Sequence, residues 1–208
     1  MNFLEKYGLK IILILFLTFS YSIIAESKKL LILGDSISAG YGLKESENWV
    51  HLLENSLRKS GQELQIINSS ISGDTTIGGL SRIESDLEEY KPNYVLIELG
   101  GNDALRGYPI EKIKSNLVKI VDASFTAGAN PIIMQIRIPP NYGKNYVAAF
   151  ENIYSDITEE KNIPLLTFLL EKVALDKRLM QPDGIHPNQK AQQIIANQVE
   201  RELLTIFK

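Results

Sequence analysis

Short apolar runs alternate with longer stretches of helical period along this chain. Leu30–Leu33 is apolar at every position, the pattern of a parallel strand buried on both faces, and the run stops at Gly34. In Trp49–Lys59, Val50, Leu53 and Leu57 recur at helical spacing, which predicts a helix ended by Gly61. Leu64–Asn68 reads as a second strand. Ile77–Tyr90 reads as a helix with Leu80, Ile83 and Leu87 on one face, broken by Pro92. Tyr94–Leu99 predicts a third strand, and Ile110–Ala127 a helix through Ile113, Leu117, Ile120 and Val121, capped by Gly128. Pro131–Ile136, Tyr146–Lys161 and Pro164–Phe168 continue the alternation as strand, helix and short fifth strand. Leu169–Met180 has no clean period and reads as a short helix plus irregular chain. A last helix runs to about Ile206 with Pro187 in its first turn, where a missing N–H does no harm.

Strands that alternate with helices predict a parallel sheet covered on both faces. The expected fold is α/β, a three-layer α/β/α sandwich of about five parallel strands with a flavodoxin-like order, 2-1-3-4-5. No repeat, low-complexity segment or linker divides the 208 residues, so one domain is expected over residues 26–208. Residues 1–25 read differently. Lys6 and Lys10 give a basic start, Ile11–Phe19 is an apolar or hydroxyl stretch, and Ser20–Ala25 leads into polar Glu26-Ser27-Lys28-Lys29. This is the order of a secretory signal peptide cleaved after Ala25, and it predicts export to the periplasm. The rival is an uncleaved anchor, but the run is short against the about 20 residues of a span. No stable membrane insertion is expected once the segment is removed.

Four predicted loops carry the polar residues of interest. Gly34-Asp35-Ser36 follows the first strand, Ser72-Gly73-Asp74 the second and Gly100-Gly101-Asn102-Asp103 the third; Asp183-Gly184-Ile185-His186-Pro187 precedes the last helix. In a parallel sheet the first three share the carboxyl edge, where open α/β sheets bind ligands. Acyl transfer needs a nucleophile, a base, an orienter for the base and donors for the oxyanion. Ser36 serves as nucleophile and His186 as base, with Asp183 holding the imidazole in one tautomer. The oxyanion would lie among the N–H groups of Ser36 and Gly73 and the side-chain amide of Asn102. His186 must be neutral to accept the serine proton, so activity is expected to rise as it deprotonates. The other histidine, His51, falls in the predicted helix and reads as a surface or half-buried residue.

Composition narrows the field. A formal charge of −3 argues against a nucleic-acid partner, and the absence of cysteine removes disulfides, thiolate metal sites and a cysteine nucleophile. With two histidines the Asp35 and Asp103 pieces do not make a two-metal phosphoesterase; Asp35 reads as bonding its own turn and Asp103 as bracing its loop. Residues 34–38 are not Gly-x-Ser-x-Gly, because Ser38 stands at the last position, so the nucleophile elbow of α/β-hydrolases is not the reading.

The four blocks, in this order, resemble those of the SGNH (GDSL) hydrolase family. Further stretches, Leu96–Asp103, Leu105-Arg106-Gly107, Met134–Arg137 and Asn141-Tyr142-Gly143, extend the resemblance over nearly all of the chain after residue 25. The resemblance implies a serine hydrolase of thioesters and carboxylic esters (fatty acyl-CoA, lysophospholipid, aryl esters) with Ser36, Asp183 and His186 as triad and Gly73 and Asn102 as oxyanion donors. It implies no metal and no organic cofactor. The expected partner is a small-molecule acyl ester or thioester, and the chain is expected to be a monomer. Leu105, Tyr108, Ile138, Pro139 and Tyr142, apolar or aromatic residues in loops beside the polar ones, are expected to form an acyl groove. Carbohydrate O-deacetylation is the rival within the family, and a non-catalytic lipid- or sugar-binding module the rival outside it.

Overall fold

The computed structural model describes residues 27–207; the expected leader lies outside them. Five strands form one sheet in the order β2-β1-β3-β4-β5, every neighbouring pair parallel. They are β1 (Lys28–Gly34), β2 (Leu64–Asn68), β3 (Tyr94–Glu98), β4 (Asn130–Met134) and β5 (Leu165–Leu166). The helices are α1 (Ser36–Ala39), α2 (Trp49–Lys59), α3 (Thr76–Tyr90), α4 (Gly101–Leu105), α5 (Ile110–Thr126), α6 (Lys144–Lys161) and α7 (Gln189–Ile206).

Alternation within β1 explains the three layers. Leu30 and Ile32 point to one face and pack with Trp49, Leu53 and Leu57 of α2 and Ile195, Val199 and Leu203 of α7. Leu31 and Leu33 point to the other, against Ile83 of α3, Leu117 and Ile120 of α5 and Phe150 and Ile157 of α6. All four β1 residues are fully buried, as a strand covered on both faces requires. The chain leaves β1 for β2 on one side and then crosses to β3 on the other. The carboxyl ends of β1 and β3 therefore diverge into a crevice at the point where the strand order reverses.

Several expectations are corrected. Two short helices, α1 and α4, start directly after β1 and β3, where only loops were expected. Asp35 is the N-cap of α1, its side chain accepting the Ile37 N–H, and Gly40 ends the turn at φ +78°. Pro187 lies outside α7: Asn188 is the N-cap, its side chain accepting the Lys190 N–H, while Pro187 pairs with Met180 in an antiparallel bridge. Leu169–Met180 contains no α-helix, only turns and a 3-10 helix at Lys177–Leu179 begun by Asp176. Strand β3 stops at Glu98, and the carbonyl of Leu99 accepts the Tyr154 hydroxyl at 3.0 Å.

Gly100 makes that stop. It adopts φ +116°, and a Cβ there would stand 2.3 Å from the Tyr154 hydroxyl oxygen. Gly100→Ala is expected to destabilise the fold by roughly 2–4 kcal/mol, backbone strain and steric overlap adding. Urea unfolding of the two proteins measures it, and an alanine variant as stable as the parent contradicts it.

Candidate active site

The crevice brings the four loops together. Ser36 is the first residue of α1 and 9 % exposed, and its Oγ lies 2.9 Å from Nε2 of His186, 150 residues away in sequence. On the other side of the ring, Nδ1 lies 2.7 Å from Asp183 Oδ2. The same carboxyl accepts the backbone N–H groups of Ile185 and His186 on Oδ1, at 2.9 and 3.0 Å. Burial pushes this carboxyl up, but the bonds from the imidazole and the two N–H groups outweigh it and hold Asp183 at about 2. An ionised carboxylate only accepts, so Nδ1 carries the hydrogen. Nε2 is then the acceptor for the Ser36 O–H. Tyr41 lies against the imidazole with ring centroids 4.4 Å apart. Gln181 ties the histidine turn down: its N–H donates to the His186 carbonyl, and its side-chain amide to the carbonyls of Tyr41 and Pro187.

Ser36, Gly73 and Asn102 line one cavity. The Ser36 N–H is in the first turn of α1, where helices leave donors unpaired. Gly73 lines the same cavity in a turn at φ +80°. Asn102, in the first turn of α4, donates one Nδ2 hydrogen to Asp35 Oδ2 at 3.0 Å. The Gly73 loop and α4 are held in step by two ties. Asp103 accepts the backbone N–H and the hydroxyl of Thr76, at 2.8 and 2.7 Å, and Arg106 donates to the Gly73 carbonyl at 3.2 Å. Burial raises the Asp103 carboxyl above its ordinary value, opposed by those Thr76 bonds. Asp103 thus braces its loop, as its position in the sequence implied. His51 is half-buried on α2, away from the cavity.

A cavity of about 730 Å³ opens at Ser36. Leu105, Ile138 and Pro139 line it as expected, whereas Tyr108 and Tyr142 do not. The reason is their bonding: the Tyr142 hydroxyl donates to the Leu105 carbonyl at 3.1 Å, and the Tyr108 carbonyl accepts from Tyr146 at 2.7 Å, so both residues brace the chain around α4. The opposite wall went unread in the sequence. It includes Ile37 of α1 and Tyr41 just after it, with Phe168, Leu169, Leu175 and Ile185 from the irregular stretch before α7. Such a stretch offers no period by which its inward side chains could be picked out.

Two buried carboxyls lie under Ser36. Glu98, at the end of β3 and 2 % exposed, accepts the Ser38 hydroxyl at 2.7 Å and the Asp35 N–H at 3.3 Å on one oxygen. Burial and the neighbouring Asp35 charge push it well above the ordinary glutamate value. Burial likewise raises Asp35 to about 6, against the Ile37 N–H, the His186 charge and the Asn102 amide, which pull it down. A charged residue inside an otherwise apolar strand is itself a signal for Glu98. An aspartate followed by a four-residue turn and glycine is the cap signal for Asp35.

A model of the GDSL-like lipase/acylhydrolase family matches residues 32–194. The chain is 47 % identical over 178 residues to an arylesterase of Vibrio mimicus, covering 86 % of this chain and 89 % of that protein. It is 42 % identical over 205 residues to thioesterase 1/protease 1/lysophospholipase L1 of Escherichia coli (strain K12), covering 98 % and 96 %. Among solved structures, the psychrotrophic esterase EstA from Pseudoalteromonas sp., inhibited by monoethylphosphonate, superposes with a TM-score of 0.85 at 42 % identity, over 86 % of this chain and 98 % of that one.

The raised Glu98 carboxyl has a measurable consequence. A carboxyl whose folded value lies above its unfolded one, 4.5, contributes stability that is complete below 4.5 and lost as pH rises through the folded value. Glu98→Gln keeps an acceptor for Ser38 and removes the charge. Its melting temperature is expected to fall less than that of the parent between pH 5 and 8. Parallel curves would show that Glu98 does not titrate as its burial requires.

Proposed function

The chain belongs to the GDSL-like lipase/acylhydrolase family, and from that premise we propose that it hydrolyses carboxylic esters and thioesters through an acyl-enzyme on Ser36. The observation that carries this reading is the unbroken line Ser36 Oγ–His186–Asp183, with 2.9 and 2.7 Å contacts, at the mouth of the cavity.

Ser36 Oγ attacks the acyl carbon as its proton passes to Nε2 of His186, and Asp183 stabilises the imidazolium so formed. The carbonyl oxygen becomes an oxyanion facing the N–H groups of Ser36 and Gly73 and the second Nδ2 hydrogen of Asn102. Losing one such donor costs about 2.7–4 kcal/mol of transition-state stabilisation. Collapse of the intermediate expels an alcohol or thiol, which takes the proton from Nε2. Water then repeats the sequence and releases the acid. Chemistry of this kind asks nothing of a metal or organic cofactor.

The apolar walls favour an acyl chain over a sugar as the group bound next to the carbonyl. Fatty acyl thioesters, lysophospholipids and aryl esters share that feature, and the Escherichia coli and Vibrio relatives bear names of these activities. The basic start, the apolar run Ile11–Phe19 and the small-residue approach to Ala25 support export to the periplasm with cleavage after Ala25. Among the described residues no helix is long and apolar enough to cross a membrane.

Ser36→Ala is expected to abolish hydrolysis of p-nitrophenyl and acyl-CoA substrates while leaving the circular dichroism melt unchanged; retained turnover would exclude the serine mechanism. Along a p-nitrophenyl ester series starting at acetyl, kcat/KM should climb by up to about fourfold per methylene, the equivalent of ~0.8 kcal/mol each. A series that peaks at acetyl would instead point to O-deacetylation.

A further inference from the structure

Asp35 does more than its position as a helix cap requires. Capping uses one oxygen: Oδ1 accepts the Ile37 N–H at 3.0 Å. A serine in that place would cap as well, without a carboxyl to desolvate. The side chain here is 5 % exposed and has no ion-pair partner among the described residues. Its second oxygen spans to a different element, accepting from Asn102 Nδ2 on α4 at 3.0 Å. One carboxyl therefore touches both the helix that begins with Ser36 and the amide that faces the oxyanion.

We propose that Asp35 is a positioning residue for the oxyanion site, its two oxygens fixing the Asn102 amide relative to the helix that carries Ser36. The inference rests on the serine-hydrolase reading given above. An asparagine amide is planar, and its two ends differ in sign: NH₂ donates and the carbonyl accepts. Turned over, it would present an oxygen to the developing oxyanion, replacing attraction by repulsion. Oδ2 of Asp35 accepts only from the nitrogen end, so it selects the productive orientation. With one hydrogen held, the direction of the other is fixed in the amide plane. Oδ1, bonded to the Ile37 N–H, then sets that plane against α1, because the carboxyl is itself rigid. Its backbone is anchored too, through the Asp35 N–H on buried Glu98.

The test compares the parent with Asp35→Ser, Asn102→Ala and the double variant, measuring kcat and KM on p-nitrophenyl butyrate together with the melting temperature. Serine keeps the cap and loses the reach to Asn102. Asp35→Ser is expected to lower kcat by about tenfold or more with KM changed less than about threefold, because the lost interaction belongs to the transition state. In the Asn102→Ala background the same serine should cost less than about twofold, since its effect passes through the missing amide. A purely structural role would cost the same factor in both backgrounds, and that result overturns the proposal. So does an Asp35→Ser enzyme with the parent's kcat while Asn102→Ala is impaired; in that case the serine-hydrolase reading stands and only the positioning role falls. If Asn102→Ala itself turns over at the parent's rate, the oxyanion assignment fails and the proposal with it. Should Asp35→Ser not fold, Asp35→Asn retains an oxygen for the Ile37 N–H and turns its NH₂ toward that of Asn102. The same pattern of kcat loss and non-additivity is expected from it.

Discussion

Glu98 is buried at the carboxyl edge of the sheet with no cation bonded to it among the described residues, and its neighbours must supply the donors it lacks. A buried polar group left unsatisfied in such a place would cost about 1–3 kcal/mol. The residues around Ser36 meet that demand. Ser38 gives its hydroxyl and Asp35 its backbone N–H, one on each side of the proposed nucleophile. Gly34 leaves the room: a Cβ there would stand 2.7 Å from Glu98 Oε2 and 2.8 Å from both the Ser38 Cβ and the Ser70 hydroxyl oxygen. The Gly-Asp-Ser-Ile-Ser run is thus a shell built around one buried acid, with Ser36 held at its crest.

The same shell explains why Ser38 stands where a nucleophile elbow would have glycine. An elbow needs a small residue there so that strand and helix can close. Here the position is filled by a fully buried serine whose backbone carbonyl accepts the side-chain amides of Asn48 and Asn68. Ser36 is presented by a short capped helix at a strand crossover, and the packing beneath it is polar.

The alternation of strands and helices was legible because the strands carry short, largely apolar runs and the longer helices keep a 3.6-residue period; the order 2-1-3-4-5 followed from the fold class that such alternation predicts. The four polar loops were legible because glycine and proline mark the ends of those runs. Other features had no such marker. Helices of four and five residues, α1 and α4, are too short to show a period, so the cap at Asp35 was the only trace of the first. Tyr108 and Tyr142 look like groove residues by composition, yet their backbone and hydroxyl bonds turn them to bracing α4. The far cavity wall depends on where β5 delivers the chain, and β5 is two residues long. Gln181 left no trace in the sequence, since a glutamine in a polar turn is ordinary until the partner carbonyls of Tyr41 and Pro187 are seen.

The turn from Asp183 to His186 closes on itself: a carboxyl binds two N–H groups and an imidazole within four residues. The proposed base and orienter are consequently a local unit that needs little chain entropy to assemble. The proposed nucleophile is not. Its contact with His186 joins α1, just after the first strand, to the segment before the last helix, across 150 residues. In kinetic terms the centre divides into a short-range half that can form early and one long-range closure that must wait for the sheet. Regain of activity in refolding would then report the docking of the carboxyl-terminal segment onto the β1 end of the sheet, a closure over 150 residues.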